Sequence, residues 1–85
     1  MMNPRVTSVK PLEHYRLEIV FSNGETGIYD CRPLLGFGVF TELEDEHYFR
    51  QVRTELGTVV WPHEQDICPA TLYLDSEKAA PLQTP

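Results

Sequence analysis

His63, Glu64, Asp66 and Cys68 fall within six positions of one another in the stretch WPHEQDICPATLY, residues 61–73. Imidazole, carboxylate and thiolate are the groups that hold zinc, and a thiol beside a base is the pairing of nucleophilic catalysis. The stretch therefore offers two chemistries, a metal site or a Cys/His-dependent active site. The spacing serves neither well. A metalloprotease helix needs its second histidine four residues after the first, and Ile67 stands there. Pro62 and Pro69 bracket the segment as loop, whereas ligand pairs gain their precision on a helix face or in a tight turn. For Cys68 the candidate bases are His14, His47 and His63, and nothing in the spacing brings one of them to it. The simpler reading is structural: Asp66 or Cys68 caps a following helix, with Trp61 and Leu72 packed beneath. On that reading no metal and no cofactor is expected, and the chain is not expected to be an enzyme.

The elements that must position this loop can be read along the chain. Residues 5–10, RVTSVK, make a first strand that stops at Pro11. In HYRLEIVF, residues 14–21, Tyr15, Leu17, Ile19 and Phe21 alternate with His14, Arg16 and Glu18, the period of a half-buried strand. Asn23-Gly24 turns the chain, because both positions tolerate positive φ, and TGIYD, residues 26–30, returns. Together these segments predict an antiparallel meander. Pro33 opens a single helical turn that Gly36 and Gly38 break. A short helix over 45–52 takes Asp45 as N-cap, with Thr41 and Glu44 as a rival capping box. Two further strands, VRTE (52–55) and TVVW (58–61), turn at Leu56-Gly57, and Pro62 ends the second. Pro69 suits the first turn of a last helix over 69–74.

The expected fold is α+β, one small antiparallel sheet of about five strands (meander plus hairpin) with two or three short helices. Its core draws on Leu17, Ile19, Phe21, Ile28, Phe40, Leu43, Phe49, Val60, Trp61 and Leu72. Residues 1–75 form a single domain, and 76–85, with two prolines and few large apolar residues, form a frayed tail. At 85 residues the chain buries only about 60–65% of its unfolded surface, which leaves little material for a catalytic cleft with its own lid.

Charge narrows the partners. The net charge is −6, and the seven basic residues are scattered. Phosphate neutralisation supplies most nucleic-acid affinity, so direct DNA or RNA binding is not expected. The acidic balance suits a basic protein partner, and also suits solubility alone. Glu42, Glu44, Asp45 and Glu46 concentrate the charge at a helix start, where acidic residues favour the dipole and where a partner could also dock. Cys31 and Cys68 match no disulfide or redox spacing and read as small buried side chains. With no signal-peptide core and no apolar span of membrane length, a cytoplasmic protein is expected, away from membranes.

The order FSNGE, then FTELEDEHYF, then GTVVWPHEQDICPATLY resembles the small bacterial family known as domain of unknown function 2442, from about Pro4 to Tyr73. The signature positions are Trp61, Pro62, Asp66, Pro69, Leu72 and Tyr73, all read as structural. The family commonly carries Asn-Gly after Trp-Pro; His63-Glu64 stand there in this chain, so a different local turn is expected. The resemblance implies a compact α+β domain without assigned catalytic activity. It also implies a partner in a two-gene pair, in the manner of toxin–antitoxin systems, so the partner would be another protein encoded nearby. Some relatives carry a helix-turn-helix domain after this one; with so few residues following Tyr73, none is expected here. The leading expectation is a non-enzymatic interaction module, antitoxin-like and compatible with homo-oligomers. The alternatives are a metal- or Cys/His-dependent enzyme using the 63–68 loop, and a ligand-sensing domain acting with a separate DNA-binding chain.

Overall fold

A computed structural model describes residues 4–78. The chain is α+β, but it builds two antiparallel sheets instead of one. The first has the order β1-β2-β3-β7, from β1 (Val6–Leu12), β2 (Arg16–Phe21), β3 (Thr26–Asp30) and β7 (Glu77–Lys78). The second has the order β4-β5-β6, from β4 (Arg53–Glu55), β5 (Thr58–Val60) and β6 (Asp66–Ile67). Two short α-helices, α1 (Glu46–Phe49) and α2 (Pro69–Asp75), and 3-10 turns at Glu13–Tyr15, Arg32–Leu34 and Gly38–Glu44 complete the described chain. No helix among the described residues is long and apolar enough to cross a membrane.

The alternation in β2 sets the frame. Leu17, Ile19 and Phe21 are buried and their intervening neighbours are not. Leu17 pairs with Tyr29, Ile19 with Gly27, and Phe21 with Val6, so these partners share the core face. That pairing corrects Ile28, which lies on the opposite face of β3, where Tyr29 and then Cys31 point inward. Val60 is corrected for the same reason. Val59 and Trp61 are two apart and both buried, so Val60 between them faces out. Phe40 packs against the core only partly, while Leu43, Phe49 and Leu72 are fully buried as expected.

One strand end and two turns depart from the sequence reading. β1 runs through Pro11 to Leu12; it is the outer strand of its sheet, where a missing N–H is tolerated. β2 begins at Arg16, because His14 (φ 64°) and Tyr15 (φ 59°) turn the chain in the left-handed region. At the next hairpin only Gly24 has positive φ (90°). Its N–H donates to Phe21 O, and Asn23 instead holds Glu25 through an Asx turn. Around Leu56-Gly57 both residues have positive φ, 54° and 83°, the two-residue hairpin that the spacing predicts.

The second sheet lies beside the start of β1. Val6 N–H donates to Gly57 O (2.9 Å), and the Arg5 guanidinium donates to Leu56 O (3.0 Å). α2 closes the other end, with Leu72 in the core and Tyr73 edge-on to Phe21. The ordered sheet reaches into the segment read as a frayed tail: Glu77 and Lys78 pair with Ile28 and Gly27. The remaining tail, 79–85, lies outside the described residues.

Candidate functional site

The polar loop is built around the buried Trp61. Its ring lies against Phe49, and its Nε1–H donates to Phe49 O (2.9 Å). Trp61 N–H donates to Gln65 O and Glu64 N–H to Trp61 O, so residues 61–65 form a tight turn. Inside it sits Gln65, only 4% exposed. A buried amide must satisfy both ends. Tyr48 Oη–H donates to Gln65 Oε1 (2.7 Å), while Gln65 Nε2 donates to Val39 O (3.1 Å) and Glu42 Oε1 (2.9 Å). The same Tyr48 hydroxyl accepts from His63 N–H (2.8 Å). His63 Nδ1 lies 2.7 Å from Glu42 Oε2; a carboxylate can only accept, so the imidazole donates. This bond first, and the one from Gln65 after it, hold the Glu42 carboxyl below the ordinary carboxylate range.

The network joins the 3-10 segment Gly38–Glu44 and helix α1 to the loop. It does not assemble the chemistry suggested by His63, Glu64, Asp66 and Cys68. His63 turns to Glu42, while Asp66 lies exposed in β6. Cys68 stands at the start of α2 without capping it, and no other side chain caps that helix. Neither Asp66 nor Cys68 is therefore the cap, and Cys68 is exposed, not buried. Cys31 is buried, which together with the nearby Asp30 charge pushes its thiol up to about 12 and leaves it inert. No three His, Cys, Asp or Glu side chains among the described residues converge as a metal-binding group.

The remaining signature residues are placed as follows. Pro62 lies exposed in the turn, Pro69 opens α2, Leu72 is buried, and the Tyr73 hydroxyl donates to Glu25. Glu64 adopts φ 74°. Glu64 thus takes the left-handed backbone that a glycine at this position would adopt without strain. A non-glycine residue there costs roughly 1–2 kcal/mol.

The acidic run divides into two pairs. Glu42 is engaged by His63 and Gln65. The Asp45 side chain accepts from His47 N–H (3.0 Å) as the N-cap of α1; Thr41, the rival, instead bonds Gly38 O within the 3-10 segment. The Glu44 and Glu46 side chains are exposed and form no ion pair among the described residues. Earlier in the same stretch of chain Phe37 and Val39 are 68% and 67% exposed. Sequence reasoning missed Gln65 and Tyr48 as the centre of the network, and missed Phe37 and Val39 as exposed apolar groups. The glycines on either side of Phe37 were the available signal, since they free this segment from regular packing.

No curated protein and no solved structure matches the chain. A family model does, across β1 to β7: residues 6–77 match the family described as "Protein of unknown function (DUF2442)", and the chain belongs to that family.

Proposed function

We propose that this chain is a non-enzymatic protein-interaction module whose partner presents a basic surface with an apolar anchor site. The observation that carries the reading is the exposed pair Phe37 and Val39, followed in the same stretch of chain by the exposed carboxylates of Glu44 and Glu46, which form no ion pair among the described residues. Two large apolar side chains left in solvent two residues apart are costly, and exposed apolar groups often mark a protein-binding surface. The segment is also held in place: Val39 O accepts from the buried Gln65, and Glu42 is tied to His63. A surface fixed before binding loses less entropy on association. The net charge of −6 favours a basic partner. An antitoxin-like role beside a partner encoded nearby is the fuller form of this reading, and the family resemblance is its support.

The test begins with affinity capture from native cells, followed by binding of the purified partner. Phe37→Ser combined with Val39→Ser should weaken binding at least about tenfold, the scale of losing two apolar anchors. Glu44→Gln with Glu46→Gln should slow association at low salt and flatten its salt dependence. A partner that binds both variants as tightly and as fast as the native chain overturns the assignment of this face.

A further inference from the structure

The outer face of the second sheet carries a separate surface. Arg53 pairs with Val60, and Val60 with Asp66, so these three side chains form one row across β4, β5 and β6. With Glu55, Pro62 and Glu64 they line an open groove of about 320 Å³. Val60 and Pro62 are its apolar members. Arg53 is 2.8 Å from Glu55 and balances it, leaving Glu64 and Asp66 without an ion pair among the described residues. At one end of the groove, next to Glu55, the hairpin tip projects Leu56, 86% exposed and at φ 54°. A bulky residue in that conformation is an outlier, and one held in solvent loses the burial that would offset the strain. Two hydrogen bonds tie the tip to the start of the chain: Arg5 donates to Leu56 O and Val6 N–H to Gly57 O. Glu64, at the other end, also holds a carboxylate where glycine would fit more easily.

We propose that this face docks a partner segment bearing an arginine beside an apolar residue. The arginine would lay its aliphatic stem over Val60 and Pro62 with the guanidinium between Glu64 and Asp66, and the apolar residue would pack on Leu56. Charge complementarity selects the cation. The carboxylates are too dispersed to converge on a metal ion, but they suit the broad, weakly hydrated fork of a guanidinium on a stem that can cover apolar surface. This inference rests on the reading of the chain as a protein-binding module, and adds a second contact face to it.

The experiment titrates N-acetyl-leucyl-arginine amide into isotope-labelled protein and follows backbone amide shifts, with the citrulline peptide as the neutral isostere. Saturable shifts at Val60, Glu64, Asp66 and Leu56 are expected. Binding should be roughly tenfold weaker for citrulline, and also for the Glu64→Gln/Asp66→Asn variant, as loss of charged hydrogen bonds implies. The Phe37→Ser/Val39→Ser variant should bind the peptide as the native chain does, so this result stands or falls independently of the first face. Equal shifts from the citrulline peptide, or shifts as strong around Glu44 and Glu46 as in the groove, would overturn the proposal.

Discussion

Two carboxylates, one in the β2–β3 turn and one in the Gly38–Glu44 segment, close the core with different partners. Glu25 follows the β2–β3 hairpin and receives the Tyr73 hydroxyl, while Lys78 lies 4.1 Å above the Tyr73 ring. Through that contact α2 is fastened to the first sheet. Glu42 receives His63 and Gln65, and so fastens the Gly38–Glu44 segment to the second. Both carboxyls are held below their ordinary range by these hydrogen bonds, Glu25 by that from Tyr73 before that from Asn23. The difference lies beneath them. Under Glu25 the packing is aromatic, Tyr73 edge-on to Phe21. Under Glu42 lies a polar chain of Gln65, Tyr48 and the loop backbone. Apolar packing tolerates a small loss, whereas a buried polar chain leaves a group unsatisfied when any member is removed. The second closure is therefore the more fragile, and it carries Val39.

The comparison can be broken most severely at Trp61. Trp61→Ala should cost about 3–5 kcal/mol in urea unfolding, from the cavity beside Phe49 and the freed Phe49 carbonyl. Tyr48→Phe should cost about 1–3 kcal/mol, since it strands Gln65 Oε1 in the interior. Tyr73→Phe, which leaves the Phe21 contact in place, should cost clearly less; equal losses would remove the distinction between the closures. On the first sheet, Gly27→Ala would bring its Cβ to 2.8 Å from Ser76 Cβ and should cost about 1–3 kcal/mol. Part of that loss should return in the Ser76→Gly background, read as non-additivity in a double-mutant cycle.

A smaller effect separates two aspartates. Asp45→Ala should cost about 1 kcal/mol as loss of the α1 cap, and Asp66→Ala should stay within about 0.5 kcal/mol. The smallest effect is read in pH. Glu25 and Glu42 have folded pKa values below their reference of 4.5, so between the two values the unfolded chain binds more protons. Their contribution is present above that reference and is lost as pH falls through the folded values. Glu25→Gln and Glu42→Gln should each flatten the acid limb of stability measured from pH 6 downward. An unchanged limb in either variant would show that its pairing does not contribute.

What could be read from sequence was local. The alternation over Arg16–Phe21, the hairpin at Leu56-Gly57, the Asp45 cap and Pro69 opening α2 all rest on neighbours a few residues apart. Strand parity was harder. In TGIYD the larger aliphatic, Ile28, faces out because Gly27 is needed where Ser76 crosses close by. β6 and β7 are two residues each and exist only through partners already in place, Val59 with Val60 and Gly27 with Ile28, so no periodicity could reveal them. The division into two sheets is of the same kind. Gln65 was illegible as a centre because its partners, Val39, Glu42 and Tyr48, lie 17 to 26 residues away. The candidate site followed suit: its residue types were visible, while their pairing, and the side chains left unpaired, depended on folding.

Pro11 has a consequence beyond its own strand. An outer strand offers a row of unpaired backbone groups, and identical copies can extend one another's sheets along such a row. At Pro11 one donor is missing from β1, and Lys10 beside it sets a charge along the same border. At the opposite end of the strand the irregular register between Val6 and Ser8 interrupts the ladder. The border of this sheet is thus a poor template for pairing at both ends of β1.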